Sequence, residues 1–239
     1  MRQATPNQRT PINWRGLLNT LSPVLALVAV FELFVQIAPS SFATGRNMEM
    51  IARQTTIVGV AALGMTLVII SGGIDLSTGS IVALSTVVIA WLLQYAGVSP
   101  LTAAIGGVAA ATVFGLLSGV LITRLRVVPF IVTLGMMLVV RGAAKGIGRE
   151  QKIDVDPGQL AWLDDLLASV PQDRSWMLVP PGVWMMILLA VAMAALLRYT
   201  RLGRHTFALG SNEQTARLCG VAGERVKGIV YARCGAFAG

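Results

Sequence analysis

The chain has 239 residues, of which 55% are hydrophobic and only 13% charged, with a mean hydropathy of +0.72. A water-soluble domain carries about 25% charged residues, so composition excludes an ordinary soluble protein and points to a polytopic membrane protein. The net charge of +8 does not signal nucleic acid, because the basic residues sit at the ends of apolar runs and form no patch interleaved with aromatics.

Residues 1–20 are polar and basic, with Arg2, Arg9 and Arg15 beside Pro6 and Pro11, and read as a cytoplasmic tail. Residues 21–239 read as one transmembrane domain. Its first apolar run covers residues 21–38. Ser41-Phe42-Ala43 resembles a signal-peptidase site, but the long tail and the interrupting Glu32 and Gln36 favour a retained helix. Further runs follow at residues 50–71, 80–94, 100–123, 127–144 and 181–197, and another begins near Gly228. The expected fold is therefore all-α: a transmembrane helix bundle of six full spans plus the start of a seventh. Gly59, Ala61, Ala62 and Gly64 in the second run make a small-residue face suited to close helix packing, and Gly106, Gly107, Gly115 and Gly119 lie along the fourth.

Charge gives the orientation. With the N-terminus inside, Arg124 and Arg126 fall inside, as does the Arg-rich stretch 198–227, and the acidic stretch 146–180 falls outside. That outer stretch holds a candidate amphipathic helix near residues 159–168. Arg46 and Arg53 run against the rule. Arg141 and Lys145, also near an outer end, read as residues snorkelling to the surface or as contacts for a solute.

Three segments carry candidate chemistry. SGGIDLSTGS, residues 71–80, places two glycines, an acid and hydroxyls between apolar runs. It predicts a helix broken between Gly72 and Ser77. Lipid tolerates such a break only where it lines a polar cavity or is buried in protein. Asp75 is then a pathway residue or a surface cap, and Ser77 a cap for the next helix. VPFIVTLG, residues 128–135, opens a helix with proline in its first turn, and Phe130 and Thr133 are candidates to face a pathway. Residues 204–227 form a basic, Gly-punctuated connection. Within it Ser211, Asn212, Glu213 and Gln214 read as a capped helix start, Ala216 and Arg217 as its body and Gly220 as its stop. A short capped helix between spans is a docking element.

Cys219 and Cys234 imply no disulfide framework, and His205 has no partner at metal-ligand spacing. The sequence offers no paired acids, no Ser–His pair, no metal motif and no phosphate-binding loop. If ATP drives this protein, another chain binds it.

GGIDLSTGSIVALS (residues 72–85), VPFIVTLGMM followed by Arg141-Gly142, and LGRHTFALGSNEQTARLCGV (residues 202–221) together resemble the permease subunits of bacterial ABC importers for monosaccharides. The resemblance runs from about residue 45 onward. It implies a multi-pass inner-membrane subunit, itself not an enzyme and without a bound cofactor, that moves a monosaccharide by alternating access. It further implies a cytoplasmic ATPase, a periplasmic sugar-binding protein and a second permease subunit, most simply a homodimer. The ATPase contact maps by position to residues 208–220, with Gly210, Asn212, Glu213, Ala216, Arg217 and Gly220. A branched-chain amino acid or an autoinducer sugar on the same scaffold is the alternative solute. Family members continue through several more helices, so the chain is expected to be C-terminally truncated, and a non-transporting fragment is a further alternative. Arg233 stands where the family pattern is apolar.

The charge-derived orientation is tested by labelling. In a background without Cys219 and Cys234, an impermeant maleimide added outside is expected to modify a cysteine at Gln159 and to spare one at Ser211. The reverse pattern refutes the orientation.

Overall fold

The computed structural model describes residues 14–156, 158 and 179–239. The expected amphipathic helix at 159–168 lies outside the described residues. Nine helices occur among them: α1 (Trp14–Ile37), α2 (Gly45–Ile70), α3 (Thr78–Tyr95), α4 (Pro100–Leu125), α5 (Pro129–Gly148), α6 (Pro181–Tyr199), α7 (Arg201–Ser211), α8 (Glu213–Leu218) and α9 (Gly223–Ala238). The chain divides into two units, residues 1–50 and 51–239.

The count of six spans plus a seventh is corrected. Among the described residues four helices, α2, α4, α5 and α6, are long and apolar enough to cross a membrane. The apolar stretch Thr78–Gln94 of α3 falls short in length: seventeen helical residues rise only about 26 Å, against a hydrocarbon core of about 30 Å. In α1 the apolar stretch is Leu21–Ile37. The expected seventh run is also different in kind. Its helix, α9, starts five residues earlier than expected, at Gly223, and carries Glu224, Arg225, Lys227 and Arg233.

In the first unit, the Phe42 ring lies 5.6 Å from that of Phe31 and 5.8 Å from that of Phe34. The Asn47 side-chain amide donates to the Phe42 carbonyl at 2.7 Å. Leu27 and Ile37 are 69% and 74% exposed, surfaces suited to lipid.

In the second unit, helix starts follow the local sequence. Proline occupies the first turn of α4, α5 and α6, where its missing N–H costs nothing. Ser99 caps α4, its Oγ accepting from the Thr102 N–H at 3.3 Å. Hydroxyls inside the apolar helices bond back to their own helix, as Thr112 does to the Val108 carbonyl and Ser118 to that of Phe114. They therefore bring no unsatisfied group into the bilayer.

The core forms where α9 lies along α4. The buried face of α4 repeats small residues every fourth position: Ala103, Gly107, Ala111, Gly115 and Gly119. This spacing puts them in one row. They meet Gly228, Tyr231, Gly235 and Gly239 of the α9 strand of chain, in antiparallel register. A Cβ on Gly119 would lie 2.9 Å from the Gly228 Cα. One on Gly115 would fall on the Tyr231 carbonyl oxygen, and one on Gly235 on that of Ala111. α3 packs on the N-terminal half of α4, where Gly107 admits Ile89 and Gly106 admits Leu92. Leu67, Val68, Ile122, Val230 and Tyr231 fill the core between α2, α4 and α9.

Gly115→Leu and Gly235→Leu are each expected to lower the melting temperature in detergent, by overpacking worth about 1–3 kcal/mol or more. Gly135→Ala, where no atom lies within 4 Å, is expected to be neutral or mildly stabilising. Equal tolerance of all three contradicts the backbone-to-backbone packing.

Candidate functional site

The break between α2 and α3 is held together by its own polar groups and by three other helices. α2 closes with Gly73 N–H donating to the Val68 carbonyl at 2.9 Å, while Gly72 adopts φ +78°, a left-handed conformation open to glycine. Ser71 Oγ donates to the Val68 carbonyl at 2.7 Å. The Ile74 carbonyl, freed by the break, accepts from the Thr133 hydroxyl of α5 and from the Tyr231 hydroxyl of α9, each at 3.3 Å. Gly73 has no room for a side chain, since a Cβ would come within 2.6 Å of the Tyr231 hydroxyl.

Asp75 is 2% exposed. Its Oδ1 accepts from the Ser77 N–H at 2.8 Å and from the Ser77 hydroxyl at 2.6 Å. Its Oδ2 is buried without a hydrogen-bond partner. An acid so placed is costly unless the site uses it. Ser77 stands at the N-cap of α3 but makes no side-chain cap to the helix, because its hydroxyl is turned to Asp75. Thr78 Oγ1 and Cys234 Sγ are 3.7 Å apart. The break thus brings Asp75, Ser77 and Thr133 together, all buried. Phe130 stands apart, 46% exposed. Sequence reasoning missed Tyr231 and Cys234, which come from the far end of the chain.

The connection after α6 is a helical elbow. Thr200 caps α7, accepting from the Gly203 N–H at 3.2 Å. Asn212, extended at φ −158°, ends α7 and caps α8, its Oδ1 accepting from the Thr215 N–H at 2.9 Å. Asn212 rather than Ser211 is therefore the cap, and Ser211 is the last residue of α7. Gly220, at φ +83°, stops α8, with its N–H on the Arg217 carbonyl and that of Val221 on the Ala216 carbonyl. Ala216 is buried and anchors α8 to the core, whereas Leu218 is 89% exposed. Gly210 packs on the break itself: a Cβ there would fall on the Ile70 carbonyl oxygen.

Glu213 ties the elbow to α9. It accepts from Lys227 Nζ at 2.7 Å and from Arg217 at 2.9 Å. The hydrogen bond from Lys227 holds its carboxyl below the ordinary carboxylate range; burial opposes this, and Arg217 adds to it. The Arg217 pair was legible from its four-residue spacing. Lys227, fourteen residues away, was not. Among the described residues no three His, Cys, Asp or Glu side chains gather at a metal-ligand site.

The helices long enough to span, with a buried polar break at one end and an elbow leaning on it, define a multi-pass membrane protein. Residues 47–239 match the family described as the branched-chain amino acid transport system / permease component. The ribose import permease protein of Escherichia coli strain K12 is 35% identical over 215 residues, covering 90% of this chain and 65% of that protein. The Bacillus subtilis strain 168 ribose import permease protein is 35% identical over 225 residues, covering 94% and 67%. The L-arabinose ABC transporter permease protein of Azospirillum brasilense is 33% identical over 260 residues, covering 100% and 71%. No solved structure matches. The chain belongs to this family of transport-system permease components. It spans 65% of the length of the Escherichia coli relative.

Because its folded-state pKa is depressed, Glu213 contributes stability that is present above its unfolded pKa and lost as pH falls through the folded value. Glu213→Gln is therefore expected to melt below the native protein at pH 7 and to converge with it as pH drops below about 4. A gap that persists unchanged at pH 3 would show that the ion pairs are not its source.

Proposed function

We propose that this chain is the membrane-spanning permease subunit of an ATP-driven importer that moves a monosaccharide across the inner membrane. In this reading residues 21–239 form the permease domain and residues 1–20 a cytoplasmic tail. The chain pairs with a second permease subunit, most simply its own copy, within the membrane lipid. A cytoplasmic ATPase docks on α7–α8 and a periplasmic sugar-binding protein delivers the solute. ATP is bound and spent by the ATPase, and this chain carries no cofactor.

The observation that carries the proposal is the seat of Gly210 against Ile70 and Gly72. A push on the elbow is delivered straight to the break, with no intervening side chain to absorb it. Glu213 carries the same push to α9 through Lys227, and α9 is locked to α4. Movement of the elbow thus shifts the break and the core pair together, which alternating access requires. Gly210, Asn212, Glu213, Arg217 and Gly220 shape the elbow, and Ala216 fixes it to the core. Asp75, Ser77 and Thr133 lie along the moving break, and Phe130 lines its outer side.

The names of the relatives support a pentose or similar sugar: ribose for two of them and arabinose for a third. The family description favours a branched-chain amino acid as the second reading. Uptake of radiolabelled ribose, arabinose and leucine by cells carrying the complete assembly separates the two.

Leu218→Glu is expected to leave melting unchanged and to abolish co-purification of the ATPase. Asp75→Leu is expected to reduce uptake more than membrane abundance. Retained ATPase binding in the first variant refutes the docking assignment. Normal uptake in the second returns Asp75 to the role of a cap.

A further inference from the structure

The end of the bundle away from the elbow carries a feature that the importer reading leaves unused. α3 and α5 both start at the break, where Thr133 bonds the Ile74 carbonyl, and run on side by side until Gly148 lies against Val87. The twenty residues of α5 rise about 30 Å, the thickness of the hydrocarbon core. Where the two helices emerge, the rings of Trp91 and Tyr95 stand 6.1 Å apart at 44°. They line a recess of about 250 Å³ together with Arg149, Gln151 and Lys152. A second hollow of about 490 Å³, lined by Arg141, Lys145 and Glu150, shares Gly148 and Gln151 with the first.

Three observations bear on this place. The first is charge. Arg141 and Lys145 are four residues apart and share one side of α5, Arg149 caps its end, and all three are exposed. Among the described residues no carboxylate pairs with any of them. Lys152 is paired with Asp154, and Glu150 is the one acid among the lining residues of the two hollows. The charge rule orients this end outward, where it disfavours cations, so topology does not account for them. The second is backbone conformation. Arg149 and Glu150 are consecutive non-glycine residues at φ 50° and 58°, a left-handed pair that glycine would adopt without strain. Arg126 ends α4 in the same conformation, at φ 53°, so the left-handed cap sets where the Arg149 side chain leaves the helix and does not by itself mark a site. The third is composition. A Trp and a Tyr, 41% and 66% exposed, stand where apolar helices leave the membrane, which is the level of lipid headgroups.

We propose that this recess binds the phosphate headgroup of an anionic phospholipid. Arg149 and Lys145 neutralise the phosphate, and the Trp91 and Tyr95 rings border the glycerol. A neutral sugar would bring those two cations no counter-charge, which favours the lipid.

The test uses the full chain in nanodiscs of phosphatidylcholine with or without phosphatidylglycerol. Retained lipid is read by native mass spectrometry and stability by thermal melting. Phosphatidylglycerol is expected to be retained in preference to phosphatidylcholine and to raise the melting temperature. Each cation near an anionic headgroup is worth roughly fivefold in affinity. Arg149→Gln should therefore cut the preference about fivefold, and Lys145→Gln with Arg149→Gln more deeply. Arg149→Gly is the second variant. It should melt higher than the native protein in phosphatidylcholine, because glycine relaxes the left-handed residue, and should still lose the lipid preference. Arg201→Gln with Arg204→Gln, at the elbow end, should leave the tightest-bound lipid in place. A preference unchanged by the Arg149 variants, or lost equally in the elbow pair, overturns the proposal. So does an equal melting shift from inorganic phosphate in pure phosphatidylcholine, which identifies a free-anion site, or from ribose, which identifies a sugar site.

Discussion

The close approach of α4 and α9 is the contact on which the rest of the second unit depends. Lipid tails are as apolar as leucine, so burying apolar surface gives helices in a membrane little reason to associate. Contact between backbones replaces it, and that requires a row of residues without side chains. Ala111, Gly115 and Gly119 provide the row on one helix, and Gly228 and Gly235 on the other. Once α9 lies in this groove, Tyr231 and Cys234 are carried to the start of α3, and Lys227 is carried to Glu213. Without that contact the break loses Tyr231 and Cys234 and the elbow loses Lys227.

The break illustrates how a membrane protein keeps an irregular segment. Interrupting a helix frees backbone groups that lipid cannot satisfy. Here the freed Ile74 carbonyl finds hydroxyls from two helices, and the Asp75 carboxylate folds back on Ser77. One oxygen of Asp75 is left over. The arrangement is stable enough to persist and polar enough to respond when its neighbours shift, a combination suited to a moving part of a transport path.

The elbow shows a different economy. Its capping contacts are local, from Thr200, Asn212 and Gly220, so it is rigid on its own account. It is attached to the core through Gly210 on the break, Thr206, Leu209 and Ala216 in the core and Glu213 to Lys227. Leu218 stays exposed beside these contacts.

The sequence by itself determined the membrane class, the break between Gly72 and Ser77 and the short capped helix ending at Gly220. Each rests on local chemistry: long apolar runs, glycines beside an acid, an Asx cap and a left-handed stop. The family was legible from three motifs in order. The number of spans was not, because a hydrophobic run does not state how much of it lies within one uninterrupted helix, and α9 shows that a helix carrying Glu224, Arg225, Lys227 and Arg233 can join the core. The company kept by Asp75 was also hidden. Tyr231 and Cys234 lie more than 150 residues away, and their approach follows from backbone packing between α4 and α9. The glycines announce that such packing occurs, but only the tertiary structure chooses which helix fills the groove, because a small-residue face accepts any partner whose own small residues match its register.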